Sequence, residues 1–215
     1  MFSAAAERNK HDILATLRQV IPAAGHALEI ASGTGQHVAW FADHLAQWTW
    51  QPTDPQPEAL DSVAATVTEH GLTNVRPALQ LDVMQSSWLP VHADATGHGK
   101  AFDLIYCANM LHIAPWTTCA ALMQGSARHL TPGGVLVTYG PYLEGEVSTS
   151  EGNLAFDQSL RARGADWGIR QREDVEQQAA QAGLTLAARH AMPANNLLLV
   201  WARTGDQNAK AAAKD

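Results

Sequence analysis

Cysteine, positive charge and long apolar runs are all scarce in this chain. Two cysteines among 215 residues, Cys107 and Cys119, with no C-x-x-C spacing, exclude a disulfide-built scaffold and a thiolate zinc site. Both fall in segments that read as buried, so packed thiols in a reducing, cytoplasmic setting are expected. Lys and Arg number 14 against 21 Asp and Glu, for a formal net charge of -7. That removes a broad electrostatic grip on nucleic acid and leaves room only for a local basic patch. No apolar run reaches the length that crosses a bilayer, and Met1–Asp12 lacks the apolar core of a signal peptide, so no membrane association is expected. The ten histidines are scattered without an H-x-x-x-H pair, so no metal is expected. Charged residues are only 16%, yet hydrophobic ones reach 46%, the balance of a globular chain rather than a disordered one.

What is present is an alternation of helix and strand patterns, which predicts a mainly parallel sheet with helices on both faces. Residues 10–20 read as an opening helix with an apolar stripe of Ile13, Leu14, Leu17 and Ile21. Strands are expected at 27–31, 48–51, 75–81, 102–107 and 135–139. Helices are expected at 36–45, 57–70, 116–130 and 172–182. The run Pro132-Gly133-Gly134 reads as a turn into the fifth strand. Strands at 184–190 and 196–202 are joined only by the short loop 191–195, so they must pair antiparallel. A polar insert, 140–170, interrupts the rhythm. A single domain over 1–203 with a disordered tail over 204–215 is expected.

The most informative stretch is Leu28-Glu29-Ile30-Ala31-Ser32-Gly33-Thr34-Gly35. An apolar strand carries an acid near its end and runs into a loop of small residues that opens a helix. Such a loop lets a ligand press onto backbone and presents the helix N-terminus to it. A dinucleotide fingerprint requires a third small residue, where Val38 stands instead. Asp54 follows the second strand, 19 positions beyond Gly35. An acid there accepts both hydroxyls of an adenosine ribose, or alternatively caps the helix that follows Pro55.

The glycine loop resembles motif I of class I S-adenosylmethionine (SAM)-dependent methyltransferases, with Ala31 in place of the first glycine. Further segments resemble the methyltransferase-like family known as domain of unknown function 938: residues 5–10 (Ala-Ala-Glu-Arg-Asn-Lys), 29–37, 109–113 (Asn-Met-Leu-His-Ile), 139–141 (Tyr-Gly-Pro), 167–170 (Trp-Gly-Ile-Arg) and 192–196 (Met-Pro-Ala-Asn-Asn). The resemblance covers nearly the whole chain. It implies a seven-stranded Rossmann-like methyltransferase sheet, mostly parallel with the last strand antiparallel, that binds SAM and releases S-adenosylhomocysteine.

On that reading Arg8, Glu29, Ala31, Ser32, Gly33, Thr34, Gly35, Asp54, Asp82, Val83 and Asn109 form the cofactor side. Asp82 would accept from the adenine amino group, or serve only as a turn residue. Glu29 would take loop N–H groups or approach the methionine ammonium, or form a buried salt bridge. Arg8, with Asn9, reads as a lid before the first helix, its guanidinium paired with the methionine carboxylate. Ligands of open α/β sheets sit beyond the carboxyl ends of the strands. That places Asn109, His112 and Tyr139 as catalytic candidates, with His112 the general base by its chemistry. Asn153, Trp167, Arg170, Asn195 and Asn196 fall on the substrate side, and 140–170 reads as a lid or a purely structural excursion. Trp40, Phe41, Trp48 and Trp50 read as core. The function expected is methyl transfer from SAM to a small molecule. A non-catalytic SAM sensor and a nicotinamide oxidoreductase are the alternatives, and neither the acceptor nor the oligomeric state is legible.

Overall fold

In the computed structural model, residues 1–89 and 101–206 are described. The strands are β1 (Gly25–Ile30), β2 (Trp48–Asp54), β3 (Leu79–Gln80), β4 (Phe102–Ala108), β5 (Leu130–Leu143), β6 (Arg170–Gln171), β7 (Leu184–Met192) and β8 (Asn196–Arg203). The helices are α1 (Ala4–Val20), α2 (Gln36–His44), α3 (Pro57–Glu69), α4 (Thr117–His129), α5 (Glu151–Arg163) and α6 (Arg172–Gln181). The sheet runs β3-β2-β1-β4-β5-β8-β7, and β6 pairs with β5 beside that path. β1 to β5 pair in parallel, while β8 is antiparallel to both β5 and β7.

Strand alternation feeds two apolar layers. On one face Leu104, Tyr106, Leu198 and Val200 meet Ile13, Leu17, Val38, Phe41 and Val63 from α1, α2 and α3. On the other, Ile105, Cys107, Leu199 and Trp201 meet Cys119, Leu122, Val175 and Ala179 from α4 and α6. Phe41, Trp48 and Trp50 are fully buried, and both cysteines are buried free thiols. Trp40 is half-buried, with the Lys10 ammonium 4.6 Å from its ring centre.

Several boundaries differ from the sequence expectation, and the largest differences have local reasons. α1 starts at Ala4 rather than residue 10, because the Ser3 side chain caps it by accepting from the Ala6 N–H at 3.2 Å. Arg8 and Asn9 therefore lie on a helix, not on an arm before one. β3 shrinks to two residues: the 74–76 segment exchanges N–H···O bonds with Trp50 in a single bridge at Val75, but Pro52, the next β2 residue on that side, has no N–H to continue the ladder. β5 begins at Leu130, taking Pro132–Gly134 into a bulge where Gly133 has φ +81. It runs on to Leu143, because β6 and β8 both pair with its far end. The insert holds α5, capped by Ser150 and carrying an Arg161–Asp157 pair at 2.8 Å. Beyond β8, the Thr204 N–H donates to the Gly183 carbonyl, and residues 207–215 of the expected tail lie outside the described residues.

Candidate functional site

The chain leaves β1 through three left-handed residues, Ala31 (φ +56), Gly33 (φ +55) and Gly35 (φ +78). Alanine in that region costs about 1–2 kcal/mol, which gives the physical reason for a glycine at the first position of such loops. Ser32 pins the loop to β2: its N–H donates to the Thr53 carbonyl at 2.9 Å and its hydroxyl accepts from the Thr53 N–H at 3.1 Å. Asp54, only 6% exposed, closes it. The Gly33 N–H donates to Asp54 Oδ2 at 2.9 Å and the Gln56 N–H to Oδ1 at 3.0 Å. The N-cap of α3 is Gln56, so the alternative reading of Asp54 as that helix's cap does not hold, and in the unliganded chain Asp54 clasps the loop. The glycines differ in purpose. A Cβ on Gly35 would sit 2.9 Å from Val63 Cα, so Gly35 lets α2 approach α3. A Cβ on Gly33 would find no atom nearer than 4.0 Å.

Gly33 borders a cavity of about 610 Å³, also walled by Ala31, Ser32, Thr34, Asp54, Asp82, Val83 and Asn109. That volume is in the range of small-molecule sites. Asp82 also serves its own turn, Oδ1 accepting from the Met84 N–H at 2.9 Å. Ser3 and Ala6 of α1 roof the cavity. Gln36 clamps that roof: its Oε1 accepts from the Ser3 N–H at 2.6 Å and the Thr34 hydroxyl at 3.0 Å, and its Nε2 donates to Glu7 at 3.0 Å. Sequence reasoning missed Gln36 and Ser3; the only signal was an amide at the first turn of α2.

Glu29 lies beneath the loop, 1% exposed, and its Oε2 has no hydrogen-bond partner among the described residues. Burial pushes its carboxyl up to about 8, the Ser32 hydroxyl works against this, and the Asp54 charge adds to it. The expected bonds from loop N–H groups are not made. Gly33 gives its N–H to Asp54 and Gly35 gives its own to the Ser32 carbonyl.

A second cavity of about 630 Å³ adjoins the first, and Asn109 and Ile113 line both. Asn109 is left-handed (φ +57) and its N–H donates to the Tyr139 carbonyl at 2.8 Å, which fixes it on the dividing wall. His112, Tyr139, Asn153, Phe156 and Asn196 line the second cavity. Burial pushes the His112 imidazole down to about 4, with the Arg170 and Arg163 charges adding to the shift. It is therefore neutral at pH 7 and able to accept a proton, though as a weak base. Burial raises the Tyr139 phenol, while its hydrogen bond with Asn9 lowers it. His37, another residue missed from sequence, lines the first cavity, and its Nε2 meets Asn9 Oδ1 at 2.7 Å.

The family profile described as protein of unknown function (DUF938) matches residues 1–203. The chain belongs to the DUF938 family. Solved structures share its fold. Mitomycin 7-O-methyltransferase MmcR is similar at a TM-score of 0.77 and 14% identity, over 93% of this chain and 54% of that one. An O-methyltransferase family 2 protein from Planctomyces limnophilus, in complex with apigenin, is similar at 0.70 and 18%, over 90% and 61%. CalO1 of calicheamicin biosynthesis, in its SAH-bound form, is similar at 0.67 and 14%, over 90% and 55%. This chain thus spans a little over half the length of each. The likeness is one of fold, and the fold is that of class I SAM-dependent methyltransferases.

Six expected site residues of this DUF938 chain stand elsewhere than the sequence suggested. Glu29, beneath the loop, and Gly35, packed on α3, do not line the first cavity. Arg8 lines the second cavity and not the first, because α1 begins early and its second turn passes beside the second cavity. Trp167 lines neither; it packs on Gly164 with the Arg163 guanidinium 5.6 Å from its ring. Arg170 lines neither and is a staple. Its Nε donates to the Leu111 carbonyl at 3.0 Å, and its Nη2 to the Ala114 and Asp166 carbonyls at 2.6 Å each. Asn195, left-handed, lies outside both cavities and offers its carbonyl to Asn153 Nδ2 at 3.2 Å.

Proposed function

We propose that this protein is a SAM-dependent methyltransferase acting on a small molecule. The observation that carries the reading is the pair of adjoining cavities on the carboxyl rim of the sheet, divided only at Asn109 and Ile113. One is built from the glycine loop and two strand-end acids. The other is built from α1, the insert and the Pro193–Asn196 turn.

The residues of the first cavity fit the cofactor. Gly33 leaves open the space where a Cβ would project. Each Asp54 oxygen accepts one N–H and keeps a second lone pair for a ribose hydroxyl. Asp82 and Val83 stand at the far end for an adenine edge and face. SAM bound here supplies an electrophilic methyl group on a sulfonium. The chain's own residues then have three tasks: to hold the acceptor atom in line at the Asn109 wall, to exclude water, and to receive a proton if one is lost. Neutral His112 suits the last task for an acceptor that sheds its proton as the new bond forms. Asn153 and Phe156 bring the insert over the acceptor side as a lid.

Val38, at the position where a dinucleotide loop needs a small residue, is fully buried in the core, which disfavours a nicotinamide cofactor. Calorimetry with SAM, S-adenosylhomocysteine and NAD tests the site: the first two should bind and NAD should not. Conversion of SAM to S-adenosylhomocysteine in the presence of a metabolite extract separates an enzyme from a sensor.

A further inference from the structure

Arg8 and Asp12 stand one turn apart on α1, and both line the second cavity. Both are exposed, and among the described residues neither forms an ion pair with the other or with a third group. An arginine four residues before an aspartate is the weaker order of such a helix pair, so little is lost when both turn to a ligand. Both charges reach the Tyr139 phenol. After burial, which raises its ionisation, and the Asn9 bond, which lowers it, Asp12 raises it and Arg8 lowers it. Ile113 and Phe156, 44% and 38% exposed, and Pro141 give the same cavity apolar surface, alongside His112, Asn153 and Asn196. The cavity therefore combines two opposite charges on α1 with exposed apolar side chains, and Asn109 is part of its wall.

We infer that the acceptor is a zwitterion of the amino-acid type, its carboxylate held by Arg8, its ammonium by Asp12, and its side chain, which carries the nucleophilic atom, directed past Phe156 towards Asn109. This rests on the methyltransferase reading. A simple anion would meet Asp12 repulsively and a simple cation would meet Arg8 so. A ligand carrying both charges answers both, and two long side chains one helical turn apart can converge on an α-ammonium and an α-carboxylate. Arg8 and Asp12 are then specificity residues for the acceptor, and Arg8 does not serve the cofactor.

The test uses the full chain. S-adenosylhomocysteine binding is measured first by calorimetry; if the wild type does not bind it, the methyltransferase reading falls and this inference with it. With S-adenosylhomocysteine saturating, two probe series are titrated: L-tyrosine, tyramine and 3-(4-hydroxyphenyl)propionate; then L-leucine, isoamylamine and 4-methylpentanoate. In at least one series the zwitterion should bind about tenfold tighter than either partner. Arg8→Gln should abolish the preference over the amine, Asp12→Asn the preference over the acid, and Arg8→Lys should restore part of the first. S-adenosylhomocysteine affinity should be unchanged in all three variants. No preference in either series, including a failure of all probes to bind, overturns the inference and leaves the methyltransferase reading standing. So does a fall in S-adenosylhomocysteine affinity in Arg8→Gln, which would return Arg8 to the cofactor.

Discussion

Replacing Asp54 separates what this carboxylate does for the loop from what it does for a ligand. Asp54→Ala removes the acceptors of the Gly33 and Gln56 N–H groups. Hydrogen bonds to a charged group contribute about 1.5–3 kcal/mol each. The site opens to a cavity that water enters, so the low end applies and the unliganded protein should lose about 2–3 kcal/mol. For a chain of this size that is roughly 5–10 °C in melting temperature. Asp54→Asn keeps one oxygen and can hold only one of the two N–H groups, so its loss should be about half.

Cofactor affinity should fall for two reasons, and a double cycle divides them. The misplaced loop penalises every ligand equally. The lost acceptor penalises only ligands with ribose hydroxyls. Calorimetry on wild type and Asp54→Ala with S-adenosylhomocysteine and with its 2′,3′-dideoxy analogue gives both terms. The difference between the two ligands' losses should reach about 1.4 kcal/mol or more, a factor of ten. Equal losses for parent and analogue would leave Asp54 as a loop clasp alone and refute the ribose role.

Gly33→Val should abolish S-adenosylhomocysteine binding while far-UV circular dichroism stays near wild type, because the new side chain points into the cavity; unchanged affinity in a folded variant would remove the loop from the site. Tyr139→Phe and His112→Asn should keep S-adenosylhomocysteine affinity within about twofold and lower turnover, since both line only the second cavity; calorimetry beside a turnover assay checks the split. Stability of the unliganded protein should peak near pH 6.5. Below this, His37 and His112, held down to about 4 by burial, stay neutral while the unfolded chain takes up protons, so stability falls as pH falls from 6.5 to 4. Above it, Glu29, raised to about 8, keeps a proton that the unfolded chain has released, so stability falls as pH rises to 8. Denaturant titrations across pH should show Glu29→Gln lose the decline above 6.5 and fall more steeply between 6.5 and 4.5, where Glu29 opposes the two histidines.

The half of the site proposed for the cofactor was legible because its determinants are local. Ala31 to Thr34 are consecutive, and Asp54 and Asp82 stand at or just past strand ends at readable distances. Even there the sequence hid the bonding: nothing in the string says that Gly33 would give its N–H to Asp54 rather than to Glu29. The half proposed for the acceptor was legible only in outline. Asn109, Tyr139 and Asn196 followed from strand ends, but Arg170 and Trp167 were placed by adjacency in sequence. A guanidinium that finds three backbone carbonyls is satisfied by them, and the sequence does not reveal which carbonyls lie within its reach. Arg8 was misplaced for a similar reason. A serine cap at position 3 lengthened α1 and carried Arg8 over the other cavity.

The topology explains why the two cavities meet at the segment after β4, at Asn109 and Ile113. β1 is flanked by β2 on one side and β4 on the other. The chain therefore leaves β1 in one direction, completes β2 and β3, and returns across the sheet to β4. The loops after β1 and β4 diverge at this switch and open a crevice between them. Residues 31–34 form one lip and Asn109 the other. Asn109 accepts a left-handed backbone there, which asparagine tolerates better than most residues. The antiparallel β8 then does what a parallel strand could not: it starts at the rim where its neighbours finish. It thereby sets the Pro193–Asn196 turn beside the end of β5 and against Asn153 of the insert. The second cavity is thus a product of the reversed hairpin. Its walls come from residues near 8, 112, 139, 153 and 196, which share no local pattern and meet only through the sheet order.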